Sequence, residues 1–375
     1  MTTMDLFKKY EDLQLRDTIV KVDLNAIAEN MRLIKEMCGP DVAVMPVIKA
    51  NGYGHGAVGI APTLMESGAA YLAVATLTEA LELRQAYPDY PIFILGHTPD
   101  RLMDIVVEQN FVQTLADLSQ AKSLSAAAVR AGKTAVAHLK VDTGFHRLGI
   151  YDEEELFEMT QQPGLEIEGI FSHLALTNDE ENLKQYDLLV AMIEKLEARG
   201  CSFKYKHIAD SISLVDYPEY RMNMVRPGAL IFGLRGFHKG FLPVECCITF
   251  ESRITQIHEI KAGEGVGYDY LWRAPQDTRV GTMPFGYADG YPRNMRDKGY
   301  VTIHGVKCAV LGVICMDQVV VDLTDVPQAK VGDVGVIYGS GENQMTIQEA
   351  CELASTNKNE IVARILSRPP RVYVK

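Results

Sequence analysis

Short apolar runs alternate with helical segments through the first two thirds of the chain. Nine runs are rich in β-branched and other apolar residues: TIVKV, AVMPVI, YLAVAT, PIFILG, FVQTLA, AVAHLKV, LEIEGIF, YKHIA and MNMVR. Segments with helical periodicity, such as LTEALELRQAY and NLKQYDLLVAMIEKLEARG, separate them. Strands that alternate with helices are typical of βα repeats around a parallel sheet. About eight such units favour a closed (β/α)8 barrel over an open doubly wound sheet.

The pattern changes after about residue 245, where strands alternate with turn residues in CCITFESRITQI, YVTIHGVKCAVLGV and DQVVVDL. This pattern is typical of a separate β domain, with one further helix near TIQEACELASTN. We therefore predict an α/β fold in which a TIM-like (β/α)8 barrel precedes a mostly β C-terminal domain. The predicted boundaries are 1–16 for a linker-like segment, 17–243 for the barrel and 244–375 for the β domain.

The composition narrows the function. Of 375 residues, 47% are hydrophobic and 23% charged, and the formal net charge is −12 without a long basic run, so nucleic acid and anionic membranes are unfavourable partners. Seven cysteines without a C-x-x-C pair argue against a disulfide framework and a zinc site, and no metal is predicted. No apolar stretch reaches the length of a membrane span. These features favour the cytoplasm, although the polar start could be a linker from a longer protein.

Polar side chains follow five different predicted barrel strands. In a closed barrel, the carboxyl ends of the strands converge on one face, where chemistry is expected. Because each residue belongs to a different strand, the five would form one ring: Lys49, Arg147, His173, Ser211 and Arg226. Lysines at strand ends most often simply reach solvent. A lysine after a buried strand could instead be compensated by covalent attachment to an aldehyde cofactor, with a pKa lowered by desolvation.

The segment VIKANGYGHG around Lys49 resembles the cofactor-lysine signature of alanine racemases, which are fold-type III pyridoxal-phosphate enzymes, although Gly52 stands where alanine is usual. Further blocks resemble the family in the same order: KVDTGFHRLG, FSHLALTND, HIADS, VRPGALIFG, GEGVGYDYLW, FGYADGYPR, ICMDQ and SRPPRVY. The resemblance covers essentially the whole chain. It implies pyridoxal 5′-phosphate as the cofactor, with Lys49 carrying it and Tyr53 contacting its phosphate.

The resemblance also assigns the rest of the cofactor site. Arg226 would bond the pyridine nitrogen, and a guanidinium does not give up its proton, which disfavours transamination. The remaining cofactor positions are His173, Asp210, Ser211, Gly228 and Ala229. Taken alone, the serine could be a helix cap, the Pro-Gly pair a turn and the arginine a surface residue.

Racemisation needs a base on each face of the α-carbon. By resemblance these are Lys49 and Tyr268, with the tyrosine contributed by the partner subunit of a homodimer. A tyrosine with a reference pKa near ~10 needs positive neighbours to act near neutrality, and Arg147 and His173 are the candidates. The other supporting positions are Lys140, Tyr287, Met316, Asp317 and Asn359. Lys140 is expected to be carbamylated, so that its negative charge orients Arg147.

Three departures from the family pattern concern the substrate. Asn359 stands where tyrosine is usual, Asp210 where asparagine is usual, and Val313 where arginine is usual. This combination resembles the serine racemase branch of vancomycin-resistance operons, in which a membrane domain precedes the racemase. A hydroxymethyl group needs room and a hydrogen-bond partner, so we predict serine as a principal substrate and alanine as a second, supplying D-amino acids for peptidoglycan precursors.

Other functions stay open. One alternative is an alanine-preferring housekeeping racemase. Decarboxylases of basic amino acids share the barrel, but they usually carry a Gly-Gly-Gly phosphate loop, and this chain has no Gly-Gly pair. Non-catalytic pyridoxal-phosphate carriers also share the barrel, but they lack a β domain bearing residues such as Tyr268.

Overall fold

The computed structural model describes residues 13–375 and divides them into two compact units. The barrel unit comprises 26–53 and 57–245, and the β unit comprises 13–25, 54–56 and 246–375. Most of the predicted linker-like segment, residues 1–12, lies outside the described residues. No helix within 13–375 is both long and apolar enough to cross a membrane.

The strands are short and are numbered along the chain. They are β1 (Ile19–Asp23), β2 (Ala43–Val44), β3 (Leu72–Val74), β4 (Ile92–Ile94), β5 (Val112–Leu115), β6 (Ala135–Lys140), β7 (Leu165–Phe171), β8 (Tyr205–His207), β9 (Met224–Val225), β10 (Ile248–Arg253), β11 (Gln256–Ile260), β12 (Gly265–Val266), β13 (Trp272–Arg273), β14 (Thr278–Met283), β15 (Tyr300–Ile303), β16 (Val306–Leu311), β17 (Val319–Asp322), β18 (Val334–Tyr338) and β19 (Arg371–Val374).

Strands β2 to β9 form the closed parallel barrel that the sequence predicts. Strands β3 to β8 pair in chain order, and β2 pairs with β9. The ring is completed by backbone bonds beyond the strands, from Ile48 N to Ala73 O (2.8 Å) and from Arg226 N to Ala209 O (3.0 Å). Every residue of β3, β4 and β5 is buried. Burial explains why β3 and β4 are uninterrupted apolar runs, whereas β5 carries two buried polar residues, Gln113 and Thr114.

The α-helices are Leu24–Cys38, Ala57–Glu66, Leu77–Ala86, Met103–Glu108, Leu118–Ala131, Glu153–Thr160, Asp179–Ala198, Ser213–Asp216, Ile347–Leu353 and Lys358–Ala363. Single 3-10 turns cover Asp100–Leu102, Pro218–Tyr220, Ala229–Phe232, Tyr268–Tyr270, Tyr287–Asp289 and Arg293–Met295. Several barrel helices begin at polar caps, as where the side chains of Thr76 and Asn178 accept from backbone amides of the first turn. Such caps fix the residue at which each of these helices begins.

The β unit contains a nine-stranded sheet in the order β11-β14-β17-β16-β15-β18-β10-β1-β19. All its neighbours are antiparallel except β1 and β19, and β12 and β13 form a separate hairpin. The mostly β C-terminal part is therefore as predicted. A helix at Ile347–Leu353 matches the predicted one, and the next helix, Lys358–Ala363, was not predicted.

The first apolar run is the exception to the barrel prediction. TIVKV is expected to start the barrel, but Ile19–Asp23 pairs with β10 and β19 in the sheet of the β unit. Val20 and Val22 are fully buried there. A run of this composition fits either sheet, and strand propensity does not specify a partner. The barrel is built from the other eight runs.

Candidate active site

Lys49 begins a tight turn that follows the extension of β2. The next four residues, 50–53, all have positive φ, between 51° and 64°. Three of them are not glycine, and such conformations persist only where neighbours enforce them. The enforcing bonds run from Ala50 N to Glu79 Oε1 (2.6 Å) and from Ala57 N to Asn51 Oδ1 (2.9 Å). Glu79 is a residue that sequence analysis missed, because only its position after β3 brings it to this turn.

Backbone amides converge beside Tyr53. Ser211 Oγ accepts bonds from the amides of Gly228 (2.8 Å) and Leu230 (3.2 Å). A Cβ on Gly228 would lie 2.5 Å from Tyr53 Oη, so the phenol rests directly on this backbone. Burial raises the pKa of Tyr53 to about 12, which keeps its hydroxyl protonated as a donor. The hydroxyls of Tyr53 and Ser211 therefore lie together against the backbone of Gly228 and of the turn that begins at the predicted Ala229, an arrangement that suits an anion.

Arg226, which follows β9, is buried in the barrel unit. Its side chain donates to the carbonyls of Ser172 (2.6 Å) and Ile208 (2.8 Å). Its Nε is buried and has no hydrogen-bond partner among the described residues. Burial lowers its pKa to about 10, so the guanidinium stays charged at neutral pH. An unpaired buried donor of this kind calls for an acceptor that the chain itself does not supply.

The charges around Lys49 favour its neutral form. Partial burial is the main cause of its lowered pKa, and the guanidinium groups of Arg147 and Arg226 lower it further. Asp210 acts in the opposite direction. The Asp210 carboxylate is itself fixed, since it accepts from the backbone amides of Ile212 and Ser213, both at 3.0 Å. These groups come from four strand ends, as predicted for a ring at one face of the barrel.

The surroundings of His173, which follows β7, affect its charge. Its ring lies against Phe145, with centroids 5.1 Å apart, and its Nδ1 has no hydrogen-bond partner among the described residues. Burial and then Arg226 lower its pKa to about 3, so the imidazole is neutral near pH 7. The lowered pKa does not favour the positive charge that the resemblance assigns to His173, and that role stays a prediction. Arg147, stacked on Phe145 at 4.3 Å, is the other predicted cation.

Lys140 ends β6 with its side chain buried. Its Nζ donates to the carbonyl of Val141 (3.1 Å) and lies over the Phe171 ring at 5.2 Å. Burial and then Arg226 lower the pKa of its amine to about 7. A large neutral fraction near physiological pH makes this amine nucleophilic, as carbamylation requires.

The remaining predicted residues lie in the β unit. Tyr268 is 67% exposed in a turn after Gly267. Tyr287 and Met316, both exposed, are brought together because the amide of Tyr287 donates to Cys315 O (3.1 Å) and that of Ala288 to Met316 O (3.0 Å). These contacts join two loops separated in sequence.

Two predicted substrate residues have different surroundings. Asp317 is engaged by Arg368, whose Nη2 lies 2.7 Å from its Oδ1. Asn359 is an exposed residue in the first turn of helix Lys358–Ala363. Sequence analysis missed Arg368 because nothing in SRPPRVY separates this arginine from its neighbours.

Comparison with known proteins identifies the family. Residues 22–236 match the profile "Alanine racemase, N-terminal domain", and residues 247–373 match "Alanine racemase, C-terminal domain". The chain belongs to the alanine racemase family. It is 38% identical to the alanine racemase of Desulforamulus reducens over 94% of this chain and 98% of that protein. It is 35% identical to the alanine racemase of Clostridium tetani over 96% of each chain.

Solved structures of alanine racemases give the same result. The enzyme of Clostridium difficile superposes with a TM-score of 0.92 at 31% identity and covers 96% of both chains. The Bacillus anthracis enzyme with bound L-Ala-P superposes with a TM-score of 0.90 at 30% identity, over 96% of this chain and 95% of that one. Both domains of the chain are therefore of the alanine racemase type.

The family uses pyridoxal 5′-phosphate, and the residues of the barrel unit fit this cofactor. The amide and hydroxyl cradle of Tyr53, Ser211 and Gly228 suits a phosphate. The unpaired Nε of Arg226 suits the acceptor nitrogen of a pyridine ring. Lys49, with its lowered pKa, suits covalent attachment to an aldehyde.

Proposed function

We propose that this chain is a pyridoxal-phosphate-dependent racemase that interconverts L- and D-alanine. One observation carries the proposal. Lys49, whose pKa is lowered, and Arg226, whose buried Nε has no hydrogen-bond partner among the described residues, lie at the same face of the barrel. The relatives from Desulforamulus reducens, Clostridium tetani and Clostridium difficile, all named alanine racemase, support alanine as the substrate. They favour the alanine-preferring alternative over the serine preference that the sequence suggests.

The proposed mechanism gives separate tasks to the residues of the barrel unit. When bound, pyridoxal phosphate supplies an electron sink for the α-carbon of the substrate. Tyr53, Ser211 and Gly228 hold the phosphate, and Lys49 anchors the cofactor and then exchanges a proton on one side of the α-carbon. Arg226 donates a hydrogen bond without losing its proton, which favours return of the proton to the α-carbon over transamination.

The second proton exchange is assigned to Tyr268. Racemisation needs a base on the opposite side, and an exposed phenol in the β unit is available to a second copy of the chain. Tyr270 and Leu271 in the same turn are also exposed, which suits a contact with a partner. We therefore propose a homodimer in which each site takes Tyr268, Tyr287 and Met316 from the partner subunit. Arg147 is the cation assigned to lie near this phenol.

Serine is proposed as an additional substrate. The observation that favours it is Asn359, which places a short amide where a tyrosine is usual in the family. A site with a hydrogen-bonding group and more room discriminates less against a hydroxymethyl side chain. The names of the relatives lend no support to a vancomycin-resistance role or to a preceding membrane domain. The supply of D-amino acid for peptidoglycan precursors is compatible with either substrate.

Purified protein with added pyridoxal phosphate is incubated separately with L-alanine and L-serine, and the products are resolved by chiral chromatography. The expected result is D-alanine at the higher rate and D-serine at a measurable one. A reaction that releases carbon dioxide from basic amino acids would establish the decarboxylase alternative. Cofactor binding without turnover of any amino acid would establish the non-catalytic carrier.

Tyr268→Phe separates the proposed two-base mechanism from one that uses Lys49 alone. The variant should bind cofactor normally and lose racemisation, because phenylalanine keeps the ring and removes the ionisable hydroxyl. Tyr270→Phe is the matched control in the same exposed turn. Full activity in Tyr268→Phe would contradict the assignment of the second base.

A further inference from the structure

Two loops of the β unit carry Tyr287 and Met316, and their backbones lie in direct contact. Besides the two hydrogen bonds that join the loops, Gly286 packs so closely that a Cβ there would lie 2.2 Å from Cys315 O and 2.5 Å from Met316 O. The two loops are therefore held together by backbone contacts. We call this pair of segments, 284–290 and 313–317, the rim.

Asp289 is the anchor of the rim. Its side chain is 0% exposed, although a buried carboxylate is costly unless it is fully paired. Arg16 binds it with both terminal nitrogens, Nη1 to Oδ1 at 2.5 Å and Nη2 to Oδ2 at 3.0 Å. Oδ2 also accepts from the amide of Gly286 at 3.0 Å. Because Arg16 Nη2 donates to Pro284 O as well (2.9 Å), one guanidinium fixes both the start and the end of the first loop.

Arg368 extends the pairing to the second loop. Its Nε lies 3.6 Å from Asp289 Oδ1, and its Nη2 lies 2.7 Å from Asp317 Oδ1. The four side chains therefore form a series of ion pairs with alternating charge, in the order Arg16, Asp289, Arg368, Asp317. The two carboxylates are balanced by two guanidinium groups. Asp317, itself a predicted substrate residue, is the direct neighbour of Met316. The series of ion pairs therefore ends beside Met316.

We propose that Asp289, Arg16 and Arg368 are positioning residues that set the placement of Tyr287 and Met316 for the amino-acid substrate. The inference rests on the proposed function, since it takes the rim to be part of the racemase site. Its physical basis is that misplacement of a substrate-positioning group by about 1 Å can cost on the order of 100-fold in kcat/KM. None of the three touches the reacting atoms in this assignment, so their effect passes through the rim.

The test compares Arg16→Gln, Arg16→Lys and Asp289→Asn in the full-length holoenzyme. KM and kcat for L-alanine are measured together with amide hydrogen exchange of the peptides that contain 284–290 and 313–317. We expect Arg16→Gln and Asp289→Asn to raise KM about tenfold or more, with kcat changed less, and to accelerate exchange in both rim peptides. Arg16→Lys keeps the positive charge but loses the bidentate contact with Asp289. Its KM should therefore lie between that of the wild type and that of Arg16→Gln.

Asp277→Asn is the matched control, because Asp277 forms an exposed ion pair with Lys261 (2.7 Å) in the same unit. It should leave KM and rim exchange unchanged. The positioning role would be overturned if hydrogen exchange in the rim became faster while KM stayed at the wild-type value. It would also be overturned if Asp289→Asn left hydrogen exchange in the rim unchanged. A fall of kcat in proportion to the folded fraction at constant KM would overturn it as well. If the wild type racemises no amino acid, the proposed function fails on that result alone, while hydrogen exchange still reports whether the ion pairs hold the rim.

Discussion

The hydroxyl of Ser211 lies 2.8 Å from the backbone nitrogen of Gly228, and it occupies the point where this amide and that of Leu230 converge. A phosphate held here would lie against the Gly228 backbone, so this backbone must stay open. The Tyr53 phenol already rests against it. This relationship allows the cofactor site to be tested without altering a charged group.

Gly228→Ala should weaken binding of pyridoxal phosphate by about tenfold or more, because the new Cβ would lie 2.5 Å from Tyr53 Oη and would displace a phosphate donor. The measurement is an absorbance titration of cofactor-free protein. Gly236→Ala is the control, since its Cβ would meet only Ile212 at ordinary distances of 3.4 Å. Equal cofactor affinity in the two variants would rule out a phosphate site at Gly228.

Acid should destabilise the barrel through its buried histidines. His138 Nδ1 lies 2.9 Å from His207 Nε2, and burial lowers the pKa of both rings. The unfolded chain takes up a proton on each histidine as the pH falls below about 6.5, while the folded chain does not. Stability is therefore fully present above that pH and decreases below it, by up to about 1.4 kcal/mol per pH unit for each ring.

The measurement is the urea midpoint of the protein between pH 7.5 and 5. His207→Gln should flatten this dependence, whereas the exposed His258→Gln should leave it unchanged. An identical pH profile in wild type and His207→Gln would show that this ring is not the source of the acid sensitivity.

Lys140 should take up carbon dioxide reversibly. Its pKa of about 7 leaves much of the amine neutral near physiological pH, and the neutral fraction is lost as the pH falls. Intact mass after gentle ionisation, with and without bicarbonate, should show one added carboxylate that Lys140→Arg abolishes. Lys204, whose pKa is raised by Glu168, is the comparison lysine, and Lys204→Arg should keep the adduct. An unmodified amine at every bicarbonate concentration would refute carbamylation.

Asn359→Tyr should shift the substrate preference toward alanine. The tyrosine side chain fills space that the shorter asparagine leaves open, and it removes the amide that would bond the hydroxyl of serine. Loss of a hydrogen bond to a substrate reduces kcat/KM far more than loss of a methylene contact does. The ratio of kcat/KM for L-serine to that for L-alanine is measured on one preparation, so a folding defect cancels. We expect this ratio to fall about tenfold or more. An unaltered ratio would remove Asn359 from the substrate pocket.

Sequence patterns predict the barrel well because most of its strands lie in apolar runs that alternate with helical segments. They fail for Ile19–Asp23, since its partners in the sheet are selected by tertiary packing and not by its own residues. The strand-end rule likewise places Lys49 and Arg226 correctly at one face. It does not reveal that the pKa of His173 is lowered, because the main cause is burial, which only the folded chain creates.

The residues that sequence analysis missed are those whose partners are remote. Arg16 and Asp289 are 273 positions apart, and no spacing rule connects them. Arg16 falls in the predicted linker-like segment, where a guanidinium is expected to be solvated. Glu79 was missed for a related reason, because a glutamate in the first turn of a helix is ordinarily explained by the helix cap alone.

The parallel pairing of β1 with β19 also has a consequence during synthesis of the protein. Residues 19–23 are made early, but one of their neighbours in the sheet is residues 371–374. All eight barrel strands, in contrast, lie between residues 43 and 225. The barrel can therefore assemble on the ribosome before residues 19–23 have their partner at 371–374. An apolar segment that stays exposed during synthesis is a site at which a nascent chain binds chaperones or aggregates.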